Sequence, residues 1–157
     1  MTQEFRLTPP TESVARRIKE LRLRRGWSAE ALAQRCRDLG MPELNRSVIA
    51  NIESGRRKYV TVDEAFAVAY ALEVALVHLL VPTDLDASEV DRYLLVPDRP
   101  VTMPAAREWI RGTHPADADP RVYFSEVPRG EFRPVIATAD TAYNIDSTKG
   151  GAPDGEH

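Results

Sequence analysis

The sequence predicts a mainly α fold: a five-helix domain followed by a small, irregular α+β segment. In the first half of the chain, apolar residues recur at helical spacing. Helix-starting residues and glycine stops alternate through the same region. Beyond residue 83 the helical pattern is interrupted by prolines and by short β-like runs. No run approaches the roughly 18 apolar residues that a membrane span requires, and the start of the chain lacks the apolar core of an export signal.

The chain divides into four parts by composition. Residues 1–10 are expected to be a flexible arm ending at two prolines, and residues 11–82 to form the helical domain. Residues 83–139 are expected to be a C-terminal segment for dimerisation or interaction, and residues 140–157 a disordered tail rich in glycine.

The first predicted helix runs from about Glu12 to Arg25, with Thr11 or Ser13 as its N-cap and Gly26 as its stop. The tryptophan that follows is interpreted as a core residue packed between helices.

A second helix begins after Ser28, a favourable N-cap, and ends at Gly40. Its apolar face contains Leu32, Cys36 and Leu39. Because Cys36 is the single cysteine, no internal disulfide can form, which suits a reducing cytoplasm. Its position on the apolar face favours a small buried hydrophobe over a nucleophile.

The third predicted helix is the candidate functional element. Asn45 is a good N-cap, apolar residues follow at helical spacing, and Gly55 ends the helix. Small and hydrogen-bonding side chains occupy its other face, and a basic loop follows. This combination suits a DNA major groove, although a solvated surface helix is the alternative on these residues alone. The outward-facing residues are Arg46, Ser47, Ala50 and Asn51, and the loop contains Arg56, Arg57 and Lys58.

Two further helices complete the domain. Thr61 and Glu64 have the spacing of a capping box and predict the start of a fourth helix. A short fifth helix carries Leu76, Leu79 and Leu80 before a proline.

Charge is distributed unevenly along the chain, whose net charge is −3. Residues 13–59 contain twelve Arg or Lys against five Asp or Glu, whereas residues 60–157 contain eight against seventeen. A basic block on an otherwise acidic protein marks where a polyanion can bind.

Three segments carry a family resemblance. They are the run containing Leu21, Arg22 and Gly26, the run from Ser28 to Ala33, and the run from Ile49 to Gly55. Together they resemble the Cro/CI-type helix-turn-helix proteins, or XRE family, over about residues 13–82. The resemblance implies a five-helix, lambda-repressor-like DNA-binding domain. The connector between the second and third helices is several residues longer than is usual in that family.

The resemblance also implies roles for individual residues. Arg46, Ser47, Ala50 and Asn51 fall where such proteins read base edges, and Arg and Asn suit guanine and adenine respectively. Arg22 and Glu53 match a structural ion pair. The remaining matched positions lie where members of this family contact phosphates. Many members have a glutamine at the position of Ala29. The phosphate-contacting positions are Ser28, Ala29, Ser54, Arg56, Arg57 and Lys58.

The second half of the chain is less regular. Ser88 could cap a short helix toward Leu95, or the run at 92–96 could be a strand. Thr102 to Arg111 is predicted to be a helix closed by glycine. The segments at 121–127 and 131–137 flank a Pro-Arg-Gly turn and predict a β-hairpin.

Aromatic residues in this half are candidate anchors for a second copy or a partner protein, although they could simply pack against the helical domain. They are Trp109, Tyr123, Phe124 and Phe132. A small-ligand sensor is the further alternative, but the segment offers little material for an enclosed pocket.

Catalysis is not expected, because the sequence has none of the nucleotide-binding, metalloprotease or serine-hydrolase motifs. The lysines, Lys19, Lys58 and Lys149, are poorly placed for a Ser-Lys dyad. We expect no cofactor, no catalytic residue and no metal site, since His78 lacks a second ligand at suitable spacing.

The sequence therefore predicts a cytoplasmic, sequence-specific regulator of transcription that binds double-stranded DNA, as a homodimer on a palindromic operator. The alternative is an antitoxin-like protein that binds a partner protein through its C-terminal half and regulates itself through the helix-turn-helix.

Overall fold

The structure is a computed structural model that describes residues 5–83 and 91–133. Helices dominate, and a small three-stranded sheet accompanies them, as the fold class predicted. The helices and strands in chain order are β1 (Arg6–Thr8), α1 (Pro10–Arg24), α2 (Ala29–Asp38), α3 (Arg46–Glu53), α4 (Val62–Ala71), α5 (Leu76–Leu80), β2 (Asp91–Leu94), β3 (Pro100–Val101), α6 (Met103–Ile110) and α7 (Pro120–Tyr123).

Helices α1 to α5 surround one hydrophobic core, and we call this unit the head. Its central side chains, such as Ile18, Leu32 and Ile49, are almost completely buried. The predicted N-caps of α2 and α3 are confirmed, because Ser28 and Asn45 each accept a backbone N–H of the first turn. The capping box at the start of α4 is also present. Local sequence signals therefore set the starts of α2, α3 and α4.

Two expectations for the first two helices are wrong. Helix α1 follows Pro9 and has no side-chain cap. Ser13 lies inside the helix, where its buried hydroxyl donates to the carbonyl of Leu80 at 2.7 Å. Leu39 is the C-cap of α2 and is 44% exposed, because the helix ends before this position can turn toward the core.

The expected N-terminal arm is corrected over its described part. Residues 6–8 form β1, which pairs in parallel with β2, and β2 pairs antiparallel with β3. The chain thus passes through the whole head before it returns to pair with its own beginning. Thr8 is buried at the end of β1, where it pairs with Tyr93. A pairing across such a sequence distance leaves no local signal in the arm.

A second, smaller core lies between the sheet and α6. It contains Val81, Tyr93, Met103 and Ala106. Helix α6 has the predicted position and follows Thr102, whose hydroxyl caps it by accepting the N–H of Ala105. Of the two alternatives near residue 92, the strand is present as β2, while Ser88 lies outside the described residues.

The predicted β-hairpin is wrong where the structure describes it. Its first arm is helical, because Asp119 caps α7 by accepting the N–H of Arg121, and Pro120 suits the first helical position. Two short 3-10 turns follow at Phe124–Glu126 and Arg129–Glu131. The end of the second arm and the tail at 140–157 lie outside the described residues.

Two buried arginines hold the elements near α5: one lies within the head, and the other lies on α6 among the C-terminal elements, which are β2, β3, α6 and α7. Arg17 is 1% exposed and donates to the carbonyl of His78 at 3.1 Å. Arg107 on α6 donates to the carbonyl of Pro82 at 2.6 Å. The pKa of His78 is lowered, first by burial and then by the nearby charges of Arg111, Arg107 and Arg17. Helix α6 therefore packs against the α5 end of the head.

Candidate nucleic-acid interface

Helix α3 is anchored by its apolar face and presents its polar face outward. Ile49 and Ile52 are each 1% exposed and enter the core. The side-chain oxygen of Asn45 accepts the N–H of Val48 at 3.1 Å, which satisfies one of the free amides of the first turn. The residues predicted to read bases lie on the accessible side: Arg46, Ser47 and Ala50 are exposed, and Asn51 is half-buried.

The front of α2 is a potential phosphate site next to this face. Helices α2 and α3 pack directly against each other. Ser28 is exposed, and its Oγ accepts the N–H of Ala31 at 3.0 Å, so its hydroxyl hydrogen can still be donated. Ala29 follows as the first helical residue, where the backbone amides of a helix start favour an anion.

An ion pair fixes the end of α3 against α1. Both guanidinium–carboxylate contacts between Arg22 and Glu53 measure 2.7 Å, and the two side chains are only 11% and 8% exposed. Arg22 also donates to the carbonyl of Trp27 at 2.7 Å. The hydrogen bond to Glu53 raises the pKa of Arg22 and outweighs the opposite effect of burial. This is the pair that the family resemblance implied.

The basic loop folds back onto α3. Gly55 has φ +71°, a conformation that glycine adopts without strain. The N–H of Arg57 donates to the carbonyl of Asn51 at 2.9 Å, and Ser54 Oγ donates to the same carbonyl at 3.3 Å. The loop thereby keeps Ser54, Arg56 and Lys58 exposed beside the outward face of α3.

Arg57 differs from its neighbours because it is held within the molecule. Its guanidinium donates to Glu64 at 2.7 Å and lies 4.4 Å from the centre of the Tyr59 ring. The other carboxylate oxygen of Glu64 accepts the N–H of Thr61 at 2.9 Å. Burial acts to raise the pKa of Glu64, but these hydrogen bonds outweigh it and the net shift is downward. Arg57 therefore ties the basic loop to the start of α4.

Sequence reasoning missed this connection. The sequence pattern predicts only the capping-box role of Glu64 and indicates no role for Tyr59. The spacing of Arg57, Thr61 and Glu64 was visible in the sequence. The sequence does not show that the loop folds back and brings the Arg57 guanidinium to the Glu64 carboxylate.

Trp27 is also more exposed than a core residue. It is half-buried against the core, and the guanidinium of Arg35 covers its ring at 4.0 Å. A second arginine, Arg25, lies 5.9 Å from the ring centre. The guanidinium groups of Arg25 and Arg35 thus lie near the Trp27 ring at the turn between α1 and α2, where cation–π contacts are favourable.

A groove of about 590 Å³ adjoins the basic loop. It runs between α1 and the loop, and no sequence pattern indicated it. Cationic side chains from both sides line it, together with Glu12 and Glu53. The cationic residues are Arg16, Lys19, Arg57 and Lys58. The groove extends the positive surface from the loop to α1.

Among residues 5–83 and 91–133, no group of three or more potential metal ligands occurs. No helix in these ranges has the length and apolar character needed to cross a bilayer.

Comparison with known proteins supports the helix-turn-helix interpretation of the head. A sequence model of a protein family, described as a helix-turn-helix domain, matches residues 13–80. Comparison with curated proteins and with solved structures returns no match for the chain. The matched residues include α2, α3 and the connection between them.

Proposed function

We propose that this protein is a sequence-specific, double-stranded-DNA-binding regulator of transcription of the Cro/CI type, with α3 as its recognition helix. One observation carries the proposal. The polar face of α3 is accessible, while the same helix is fixed to the core and to α1 by its other residues. A rigid helix with an open polar face beside a basic loop fits the major groove.

Base reading is assigned to the outward face of α3 and to the residues at its front. Arg46 can donate two hydrogen bonds to guanine, and Asn51 can both donate to and accept from adenine. Ser47 can bond to either type of base, and Ala50 can contact a thymine methyl group. The short side chains of Ser47 and Ala50 allow the helix to approach the base edges closely.

Phosphate contacts are assigned to the two flanks of α3. On one side lie Ser28 and the backbone amides that begin α2, including that of Ala29. On the other side lie Ser54, Arg56 and Lys58, all exposed. Arg57 also lies on this flank, but its hydrogen bond to Glu64 makes positioning of the loop its main role.

Binding as a homodimer on a palindromic operator follows from the small size of α3. A helix of eight residues reads only a few base pairs. Two recognition helices about one helical turn of DNA apart would supply the additional specificity. We assign residues 11–82 to DNA binding, residues 83–139 to dimerisation or protein interaction, and the site of action to the cytoplasm. No catalytic role is assigned to any residue.

The test begins with selection of bound sequences from random duplex DNA by the full-length protein. Arg46→Ala and Asn51→Ala are then each expected to weaken binding to the selected sequence by about 1–3 kcal/mol, because each removes one base contact. The fold should persist, as judged by thermal unfolding. Arg121→Ala, which removes an exposed arginine from α7, is the matched control and should bind normally. Unchanged affinity in both α3 variants would contradict the base-reading assignment.

A second candidate function is supported by the exposed apolar residues of the C-terminal elements. Trp109, Val122 and Phe132 are 40%, 68% and 43% exposed. The rings of Trp109, Tyr123, Phe124 and Phe132 follow one another in a chain of contacts. Such a surface fits an antitoxin-like protein that covers a partner protein and regulates its own synthesis through the head.

This alternative makes a distinct prediction. If it is correct, affinity capture from the native host should recover one stoichiometric partner with the wild-type protein. Val122→Glu should lose that partner and retain DNA binding. Recovery of DNA without a protein partner would favour the first function.

A further inference from the structure

The groove between α1 and the basic loop contains cationic side chains to which the proposed function assigns no role. Its volume is about 590 Å³. Arg16 and Lys19 belong to its α1 wall, and the end of α3 and the basic loop up to Lys58 form the other wall. Because Arg16 and Lys19 are three residues apart, their side chains lie on one face of α1. The groove therefore has cations on both of its sides.

Acidic side chains cancel only part of this positive charge. Two carboxylates line the groove, those of Glu12 and Glu53. Glu53 is neutralised within the molecule, because both of its carboxylate oxygens accept from Arg22 at 2.7 Å. Glu12 lies in the first turn of α1 and is exposed. Among the described residues that line the groove, Glu12 is therefore the one acid that opposes the cations.

Three cations of the groove are available to a ligand. Lys19 and Lys58 are exposed, and neither makes an ion pair within the described part of the chain. Arg16 is half-buried, and its contact with Glu20 is long, at 3.9 Å, and weak. The fourth cation, Arg57, is held by its hydrogen bond within the molecule. The groove therefore keeps a net positive charge.

Both walls of the groove are fixed in position. The opposite face of α1 enters the core through Val14 and Ile18, which are 4% and 1% exposed. The loop is fixed by Arg57, whose N–H donates to Asn51 and whose guanidinium donates to Glu64. A ligand that meets cations on a preformed surface causes a smaller loss of conformational freedom when it binds.

The groove is continuous with the flank of α3 to which phosphate contacts are assigned. Ser54 and Lys58 belong to that flank and also line the groove. Helix α1 packs directly against α3. A chain of phosphates that passes Lys58 can therefore continue along α1 without leaving the protein surface.

We infer that this groove binds the DNA backbone next to the base pairs that α3 contacts, with Arg16 and Lys19 of α1 as additional phosphate contacts. The inference rests on the proposed function, because it extends the same DNA interface. Contacts to phosphates carry no sequence information, but they fix the orientation of a protein on the duplex. Arg16 and Lys19 therefore act on affinity and orientation, while the outward face of α3 determines the sequence.

The exposure of the cations favours DNA over a single small anion. Solvent and salt screen an exposed charge, so each cation alone attracts an anion only weakly. A DNA strand presents a phosphate at every nucleotide, and each cation that neutralises one releases condensed counterions. Several weak contacts along one strand therefore add to a substantial affinity. The distribution of Arg16, Lys19 and Lys58 over two walls fits such a chain of phosphates.

Titration of the full-length protein with its selected duplex at several salt concentrations tests the charges. Lys19→Ala should weaken binding and reduce the slope of log affinity against log salt concentration by about 1, because one phosphate contact is lost. Arg16→Ala should act in the same direction. The sequence selected from random DNA should stay the same in both variants. Arg121→Ala, at an exposed position on α7, is the matched control and should keep the wild-type slope.

Removal of the acid from the groove should have the opposite effect. Glu12→Gln is expected to strengthen binding to every duplex, because Glu12 repels the phosphates near Lys19. Glu131→Gln, at an exposed position in the second 3-10 turn, is the matched control and should bind as the wild type does. Thermal unfolding should show that all variants are folded. Stronger binding in both variants alike would contradict a local effect of Glu12.

Neutral methylphosphonates at single positions of the duplex locate the contact. One such replacement, outside the base pairs that determine the selected sequence, should weaken binding of the wild type. The same replacement should have little further effect on Lys19→Ala, because the contact is already lost. Arg121→Ala should respond to it as the wild type does. Equal losses in the wild type and Lys19→Ala at every position would overturn the inference.

The results also separate this inference from the proposed function. Wild-type affinity and salt slope in Lys19→Ala, together with a selected sequence that depends on Arg46 and Asn51, would refute the groove contact and leave base reading intact. A reduced slope in Lys19→Ala on random duplex DNA, without any selected sequence, would support the groove contact and refute base reading.

Discussion

At the scale of single residues, two ion pairs fix the end of α3 and the basic loop that follows it. Arg22 and Glu53 join α1 to the last turn of α3, and Arg57 and Glu64 join the basic loop to α4. The four side chains are at most 19% exposed. Removal of one partner from such a pair leaves a buried charge without compensation, which costs much more than loss of a surface pair. These residues are therefore expected to act on stability and orientation, without contacting DNA.

Glu53→Ala should lower the free energy of unfolding by about 3 kcal/mol, because Arg22 would lose both carboxylate contacts while remaining largely buried. Glu30→Ala is the matched control, since it breaks an exposed pair with Arg37 in which Glu30 is 55% exposed. That change should cost about 1 kcal/mol or less. Urea denaturation at neutral pH measures both values. Equal losses in the two variants would contradict a buried role for the Arg22 pair.

The lowered pKa of Glu64 predicts a pH-dependent contribution to stability. A carboxyl whose pKa falls on folding stabilises the native state above its unfolded pKa, here 4.5, and loses that effect as pH falls through the folded value. The difference in unfolding free energy between wild type and Glu64→Gln should therefore be largest near pH 7 and shrink below about pH 4.5. Denaturation at several pH values measures this difference, and a constant difference would contradict the interpretation.

At the scale of elements, α3 shows how local signals and tertiary contacts combine. Its start was predictable from Asn45, its buried face from Ile49 and Ile52, and its end from Gly55. These signals act within a few residues, so they can be read without knowledge of the rest of the fold. The α7 region shows the opposite case. The two segments that flank the Pro-Arg-Gly turn predicted a β-hairpin, but the Asp-Pro start at 119–120 favours a helical turn, and the first segment is helical.

Gly55→Ala tests the importance of the turn that ends α3. The Cβ would meet no neighbouring atom within 4 Å, so the cost comes from the backbone, which has φ +71°. We expect a loss of about 1 kcal/mol in unfolding free energy. Gly130→Ala is the matched control, because that glycine also has open space but does not have a positive φ. It should leave stability nearly unchanged. A similar effect of both changes would argue against strain at Gly55.

At the scale of the whole molecule, basic residues are concentrated in the first half of the chain and acidic residues in the second half. The basic block at 13–59 includes α3 and its flanks, and the acidic remainder includes the C-terminal elements. Helix α6 packs against α5, and Arg46 and Ser47 are exposed. Over the described residues 91–133 the acidic half therefore does not cover the proposed DNA-binding face, and its charge can limit unspecific binding by repelling phosphates elsewhere.

The salt dependence of DNA binding measures this charge arrangement. Lys58→Ala should weaken binding to all duplex sequences alike and should reduce the slope of log affinity against log salt concentration by about 1. Arg133→Ala, which removes an exposed arginine far along the chain, serves as the control and should leave the slope unchanged. Fluorescence titration of a random-sequence duplex at several salt concentrations gives the slopes. A wild-type slope in the Lys58 variant would exclude a phosphate contact there.

The sequence by itself determined the helical head, because caps, glycine stops and apolar spacing are local properties of the chain. Only the tertiary structure decided the features that depend on distant parts of the chain. These are the pairing of residues 6–8 with β2, the hydrogen bond from Arg57 to Glu64, and the exposure of Phe66 and Tyr70. A residue's apolar character indicates that it is better buried, but not whether its own chain or another molecule buries it. On α4 the fold leaves that choice open for Phe66 and Tyr70.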